Sequence, residues 1–400
     1  MQNLLVLGFV GLGLLVAAIL GLVAYITTTA EPFHPDPRAV PSVTKAAPSP
    51  RWAEAAERGR QVMRAGVAAQ NLPGASVAVG VGGQIVWAEG FGWADLESRV
   101  PVEPDTRFQI GMASKVLTSA AVGLLLEQDR LKLDEEIQTY VPTYPRKEGP
   151  VTLRQLMGHL AGVRTDGGDE GVPRFHCDRA VEGLQLFAER SLLFEPGTRY
   201  RYSNYGWILV SAAVAAAADE PFFRFMRTEI FEPLEMTHTR PDFPTDPVPD
   251  RASFYFPRFA ADPRYGHDGM RQVDYSCFAG SGAFASTPSD LVRFGMAING
   301  GQLLQAATVD LLQTAQRLPS GEATGYGLGW DLETVTLAGS ETRTLGHDGE
   351  VMGGRVVSFL TFPDHGIVVA VTSSIAWADT FALALSVAEA FAERRKDRKP

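Results

Sequence analysis

Four hundred residues, 45% of them hydrophobic, suffice for a large core, as one big domain or two interleaved ones, and exclude a repeat array. A formal charge of -10 with no long basic stripe before the last eight residues argues against nucleic acid, whose binding rests on clustered Lys and Arg. Small molecules or proteins are the expected partners. Two cysteines, Cys177 and Cys277, are too few for a disulfide framework and form no CxxC pair; two unpaired core thiols are expected, with one bridge between them as the alternative.

The run from Leu4 to Ile26 carries no charge and exceeds a signal-peptide h-region of about 7 to 15 residues. It is expected to be a transmembrane anchor within residues 1–27. A cleaved signal peptide is the alternative, weakened by the lack of a basic n-region and of an A-x-A site. Gly13, Ala17 and Gly21 form a small-residue stripe; Gly and Ala are common in spans, which is the expected reading, with helix pairing and self-association as the alternative. Residues 28–51 hold six prolines and read as an extended tether.

The folded domain is expected from Trp52 to about residue 395, with an α/β part over 52–111 and 300–395 and a helical part over 112–299. The stretch after Trp52 has helical spacing, and the two apolar runs around Gly80 to Gly83 predict a β-hairpin. A buried helical face runs from Ser114 to Asp129. Further helices are expected at Leu153 to His159, Ala180 to Ser191, Trp207 to Ala218, Phe222 to Ile230 and Pro288 to Ile298. Strands return in "YGLGWDLETV", "RTLGHDG", "RVVSFLTFP" and "GIVVAVTSS", before a last helix from Asp379 to about Arg395. Strands at both ends with helices between predict a sheet built from the two ends of the domain, beside a helical lobe with a cleft between. The basic tail 396–400 belongs to "ERRKDRKP", either a solvated helix end or a contact for anionic lipid.

Three short segments bear on chemistry together: "MASK" (112–115) opening a helix, "YSN" (202–204) before another, and "HDG" (347–349) beside a late strand. In this order and spacing they resemble the three motifs of the serine β-lactamase and penicillin-binding-protein superfamily. The blocks "VTLRQLMGHLAGV", "FEPGTRYRYSNYGWIL", "GSGAFASTPSDLVRFG", "GYGLGW" and "GHDGEVMGG" extend the resemblance over Trp52 to Ala392, and the nearest subgroup is LACTB-like. The resemblance implies an α/β (α+β) fold with an antiparallel sheet flanked by helices and a mostly helical lobe. It implies Lys115 as the motif lysine, Tyr202 as proton shuttle, Asn204 as the substrate-orienting amide and His347 in the K/H-x-G triplet. The backbone N–H groups of residue 112 and of Glu350, just after Gly349, would form the oxyanion hole. No cofactor or metal is implied, and His34, His159, His176, His238, His267 and His365 have no metal-ligand spacing.

The departure is the nucleophile. Position 112 is Met where the family has Ser. Ser114 lies about 200° round a helix from position 112 and about 100° from Lys115, so it cannot step in. The one formal S-x-x-K match, Ser42 to Lys45, falls in the tether. A thioether has no proton to give up, and losing the nucleophile costs on the order of 10⁶ in kcat. The expectation is an exported, membrane-anchored pseudoenzyme that binds a small-molecule or peptide ligand in a retained cleft. Two alternatives stand: an active hydrolase with an unusual nucleophile, for which Tyr202 is the placed candidate, and a self-assembling structural protein. The loops "RTDGGDEGVPRFHCD" and "PRFAADPRYGHDGMRQVD" are expected to line the pocket.

Overall fold

The structure is a computed structural model that describes residues 2–164, 175–246, 248–260, 262–270 and 272–396. Its first element is helix α1 (Gln2–Thr29), of which Gly11–Thr29 has apolar side chains and no burial against the domain. An apolar helix of this length meets the requirement for spanning a bilayer.

The segment read as a free tether is partly docked instead. Strand β1 (Ser42–Val43) pairs antiparallel with the edge of the sheet, Ser42 opposite Phe91, while His34 and Val40 are buried. The Phe33 amide donates to Asn71 Oδ1 at 2.7 Å. Residues 28–51 are not uniformly extended, since α1 runs to Thr29 and Pro37–Ala39 is a 3-10 helix; the extended part beside the open sheet edge pairs with it. The S-x-x-K match in this segment is also spoken for. Arg64 donates to Ser42 Oγ at 2.9 Å, and Lys45 pairs with Asp105 and Glu103.

Helix α2 (Ala53–Ala69) is followed by the hairpin of β2 (Gly74–Val81) and β3 (Gln84–Asp95), turning through Gly82 and Gly83 at positive φ. Helix α3 (Ser114–Glu127) and helix α4 (Asn204–Ala218) form the centre of the helical lobe, and α5 (Pro288–Asn299) returns the chain to the sheet. The chain ends with strands β4 (Asp331–Leu337), β5 (Ser340–Val351), β6 (Gly354–Phe362) and β7 (Ile367–Ser373), then α6 (Thr380–Lys396). The sheet runs β1-β3-β2-β7-β6-β5-β4, with Val100–Pro101 also paired to β3. Every pairing is antiparallel, and β2 meets β7 at the centre, so the two ends of the domain close one sheet.

Side-chain alternation along β2 divides the core. Val77 and Val79 join Trp52, Trp87 and Phe391 under α2 and α6, whereas Ala78 faces the cluster shared with α3, α4 and α5. Gly80 admits α5, since a Cβ there would come within 2.5 Å of Met296 Sδ. A salt bridge pins α2 to the sheet: Arg60 Nε lies 2.8 and 2.9 Å from the two carboxylate oxygens of Glu89, which also accepts from Trp87 Nε1 at 2.9 Å.

Two expected helices differ in kind. The stretch from Ala180 is a 3-10 helix ending at Leu186, and Phe222 to Phe231 is one α turn continued as a wider π turn. A further short helix, Ala306–Leu312, gave no strong periodic signal. Cys177 and Cys277, expected as separate thiols, are bonded to each other. Their separation of 100 residues concealed a contact made by packing the 3-10 segment against the turn at Ser276–Phe278. Residues 165–174, within one expected pocket loop, and 397–400 of the basic tail lie outside the described residues.

Candidate active-site cleft

The site is assembled where the start of α3, the start of α4 and the end of β5 meet. Gly111 takes φ +48° and turns the chain through a short 3-10 segment, Gly111–Ala113, into α3. Two close backbone approaches hold this turn on β5. A Cβ on Gly111 would stand 2.0 Å from the carbonyl oxygen of Glu350, and one on Gly349 would stand 2.1 Å from that of Ile110. Neither position tolerates a side chain without moving the backbone, which is why glycine occupies both. A β-bulge between Gly349 and Glu350 bends the strand at the same point.

Met112 is 7% exposed, and its Sδ and Cε lie over Gly282, where a Cβ would meet both at 3.6 Å. Lys115, one turn later, is fully buried. Its Nζ donates to Tyr202 Oη and, at 2.8 Å, to Asn204 Oδ1. The same nitrogen lies 3.8 Å from the centroid of the Tyr202 ring. Ser203 caps α4 by accepting from the Gly206 amide at 3.2 Å, which fixes Tyr202 before the helix and Asn204 in its first turn. The structure therefore brings Met112, Lys115, Tyr202 and Asn204 to one place. Ser114 is wholly buried, and its Oγ has no hydrogen-bond partner among the described residues.

His347 faces Tyr202 from β5, ring centroids 6.4 Å apart. Its Nδ1 lies 2.6 Å from the Asp348 carbonyl, which only accepts, so the proton sits on Nδ1. Nε2 then accepts from the Tyr326 hydroxyl at 2.9 Å. Burial, aided by the nearby Lys115 amine and opposed by Asp331, pushes the imidazole below its ordinary range and keeps it neutral.

Sequence reasoning missed Tyr326 and His159 as members of this site. Tyr326 stands in the "GYGLGW" block, before β4 begins, and its burial raises the phenol well above its usual range. In the sequence His159 is marked only as one of six histidines without metal-ligand spacing. Its Nδ1 accepts from the Ser203 amide at 3.0 Å, so Nε2 carries the proton, and that atom has no partner among the described residues. The ring lies 4.3 Å from that of Tyr202 and 4.6 Å from that of Tyr326. Burial first, then Lys115 and His347, push its pKa well below normal. The available signal was "GHL" directly after a helix end, where His159 takes φ +60°.

Beneath His347, Asp348 accepts from Ser358 Oγ at 2.5 Å and pairs with Arg355 at 2.7 Å. Burial nevertheless raises its carboxyl to about 6. A carboxyl raised in the folded state contributes stability that is complete below its unfolded value and lost as pH rises through the folded one. Asp348→Asn should therefore gain on the parent by on the order of 2 kcal/mol between about pH 4 and about pH 8 in urea unfolding. A stability difference that stays flat over that window would show that Asp348 titrates normally.

No group of three or more His, Cys, Asp or Glu among the described residues is arranged to hold a metal. Comparison with known proteins agrees with the geometry. A β-lactamase family model matches residues 60–390. The human mitochondrial serine beta-lactamase-like protein LACTB is 29% identical over 329 residues, covering 64% of this chain and 58% of that protein. Penicillin-binding protein 4* of Bacillus subtilis is 25% identical over 280 residues, covering 67% and 61%. The chain thus spans less than two thirds of the length of these relatives. Among solved structures, the octameric penicillin-binding protein homologue from Pyrococcus abyssi superposes with a TM-score of 0.68 at 22% identity, covering 82% of this chain and 75% of that one. The D-amino acid amidase from Ochrobactrum anthropi SV3 gives 0.69 at 23% identity, covering 86% and 97%. With the antiparallel sheet, the helical lobe and the 112–115, 202–204 and 347–349 segments meeting between them, the chain belongs to the β-lactamase family and has its serine-hydrolase fold.

Proposed function

We propose that this chain is a membrane-anchored, exported member of the family that binds a small molecule or peptide in its cleft without forming an acyl-enzyme. The observation that carries this is Met112 at the nucleophile position, one helical turn before a buried Lys115 that bonds to Tyr202 and Asn204. A thioether has no proton for Lys115 or Tyr202 to accept, so the first step of acyl transfer has no substrate on the enzyme side. The donors that would bind a carbonyl oxygen are the amides of residue 112 and Glu350, and they do not depend on the side chain at 112. A polar cleft with an oxyanion site but no nucleophile is a binding site.

Anchoring is supported by α1, whose span from Gly11 to Thr29 is not buried against the domain. Export is supported by the Cys177–Cys277 bond, because disulfides persist in oxidising compartments and are rare in reducing ones. Intact-mass spectrometry tests the central claim. Incubation with penicillin or an activated fluorophosphonate should leave the mass unchanged. A stoichiometric adduct mapped to Tyr202 or Ser114 would make the chain a covalent hydrolase and end the binding proposal.

A further inference from the structure

The foot of α1 forms a second concave site, whose lining includes none of Met112, Lys115, Tyr202, Asn204 and His347. A groove of about 570 Å³ lies between the docked segment after α1 and the domain, with Phe33, Trp93, Arg99, Arg258 and His267 among its lining. Arg258 reaches back to the helix end. Its guanidinium donates to Thr29 Oγ1 at 3.3 Å and lies 5.9 Å from the ring of Tyr25. Gly266, at φ +99°, makes room for it, since a Cβ there would stand 2.8 Å from Arg258 Cδ.

The neighbouring backbone is arranged outward at some cost. Phe259 is 53% exposed and held at φ +61°, and Arg99 is exposed at φ +53°. Non-glycine residues at positive φ are uncommon, and a bulky one there is strained. Neither Arg99 nor Arg258 has a carboxylate within ion-pair distance among the described residues, although Glu31 also lines the groove. Two such guanidiniums, aromatic rings and the end of an apolar helix therefore converge on one cavity. That combination suits a ligand with an anionic oxygen cluster and an apolar tail. Guanidinium forks match phosphate oxygens, and Tyr and Trp favour the membrane interface.

We propose that this groove is a headgroup site for an anionic phospholipid of the bilayer that holds α1, with Arg99 and Arg258 taking the phosphate. The inference rests on α1 remaining in the bilayer, so the experiment first confirms by intact mass that the full-length chain retains it. The chain is placed in nanodiscs of phosphatidylcholine in which phosphatidylglycerol progressively replaces the neutral lipid, and hydrogen exchange is followed in residues 31–41 and 258–267. Exchange in both segments should slow and saturate with phosphatidylglycerol. Arg99→Gln, an exposed change that leaves the helix contact intact, should raise the half-saturating fraction about five-fold, the equivalent of about one interfacial arginine. Equal exchange in both lipids, or an unshifted midpoint in Arg99→Gln, overturns the proposal. Protection by millimolar inorganic phosphate in neutral discs, without phosphatidylglycerol, assigns the groove to a soluble anion and overturns the lipid assignment.

Discussion

Met112→Ser should hydrolyse p-nitrophenyl acetate on the order of 10² to 10⁴ faster than the parent, or at least accumulate an acyl-enzyme visible by mass, since loss of a serine nucleophile costs on the order of 10⁶. The expectation follows from what surrounds the position. Lys115 is fully buried one turn away and bonds to Tyr202 and Asn204, so a base for a new hydroxyl is already held in place. Serine is smaller than methionine, and the space over Gly282 now filled by the thioether becomes available to a substrate. Truncating a largely buried Met costs roughly 2 to 5 kcal/mol of stability, so the melt of the variant must be measured beside its rate. Adding Lys115→Ala should abolish the gain, because the hydroxyl then lacks its proton acceptor. Equal rates in parent and Met112→Ser would show that catalysis never passed through position 112. A folded, silent variant would show that the cleft has lost acylation geometry despite its retained side chains.

What could be read from the sequence and what could not divides along the range of the interactions. The sheet was legible because β2 and β6 are short apolar runs bounded by glycine and proline and β7 is one that begins after Gly366, and α3 because its apolar residues repeat at helical spacing. Lys115, Tyr202, Asn204 and His347 were legible only because the segments 112–115, 202–204 and 347–349, taken together, resemble the motifs of the family. Tyr326 and His159 were not, since their contribution lies in contacts across the fold: a hydroxyl reaching His347 and a ring against Tyr202. The docked segment around Ser42 and the Cys177–Cys277 bond failed for the same reason. A sheet edge and a sulfur 100 residues away leave no periodicity to detect.

Removing the disulfide should be the most destabilising single covalent change in the domain. With 100 residues between the cysteines, loop-closure entropy gives up to about 4.7 kcal/mol, and native bridges typically give about 2 to 5. Both sulfurs are buried, at 1% and 0% exposure, so Cys177→Ala with Cys277→Ala is preferable to serine, which would bury two hydroxyls. Reduction or this double variant should lower the midpoint of thermal unfolding by roughly 5 to 15 °C. The effect should also reach the cleft. The bridge fixes the turn at Ser276–Phe278, which leads directly into the short helix Ala279–Gly282, and Gly282 forms the floor beneath position 112. In the Met112→Ser background, loss of the bridge should therefore reduce turnover while a surface substitution such as Arg343→Gln leaves it unchanged. Thiol titration in denaturant without reductant should find no free sulfhydryl. Two titratable thiols there, or a melt indifferent to reductant, would remove both the stabilising role of the bridge and its support for an oxidising compartment.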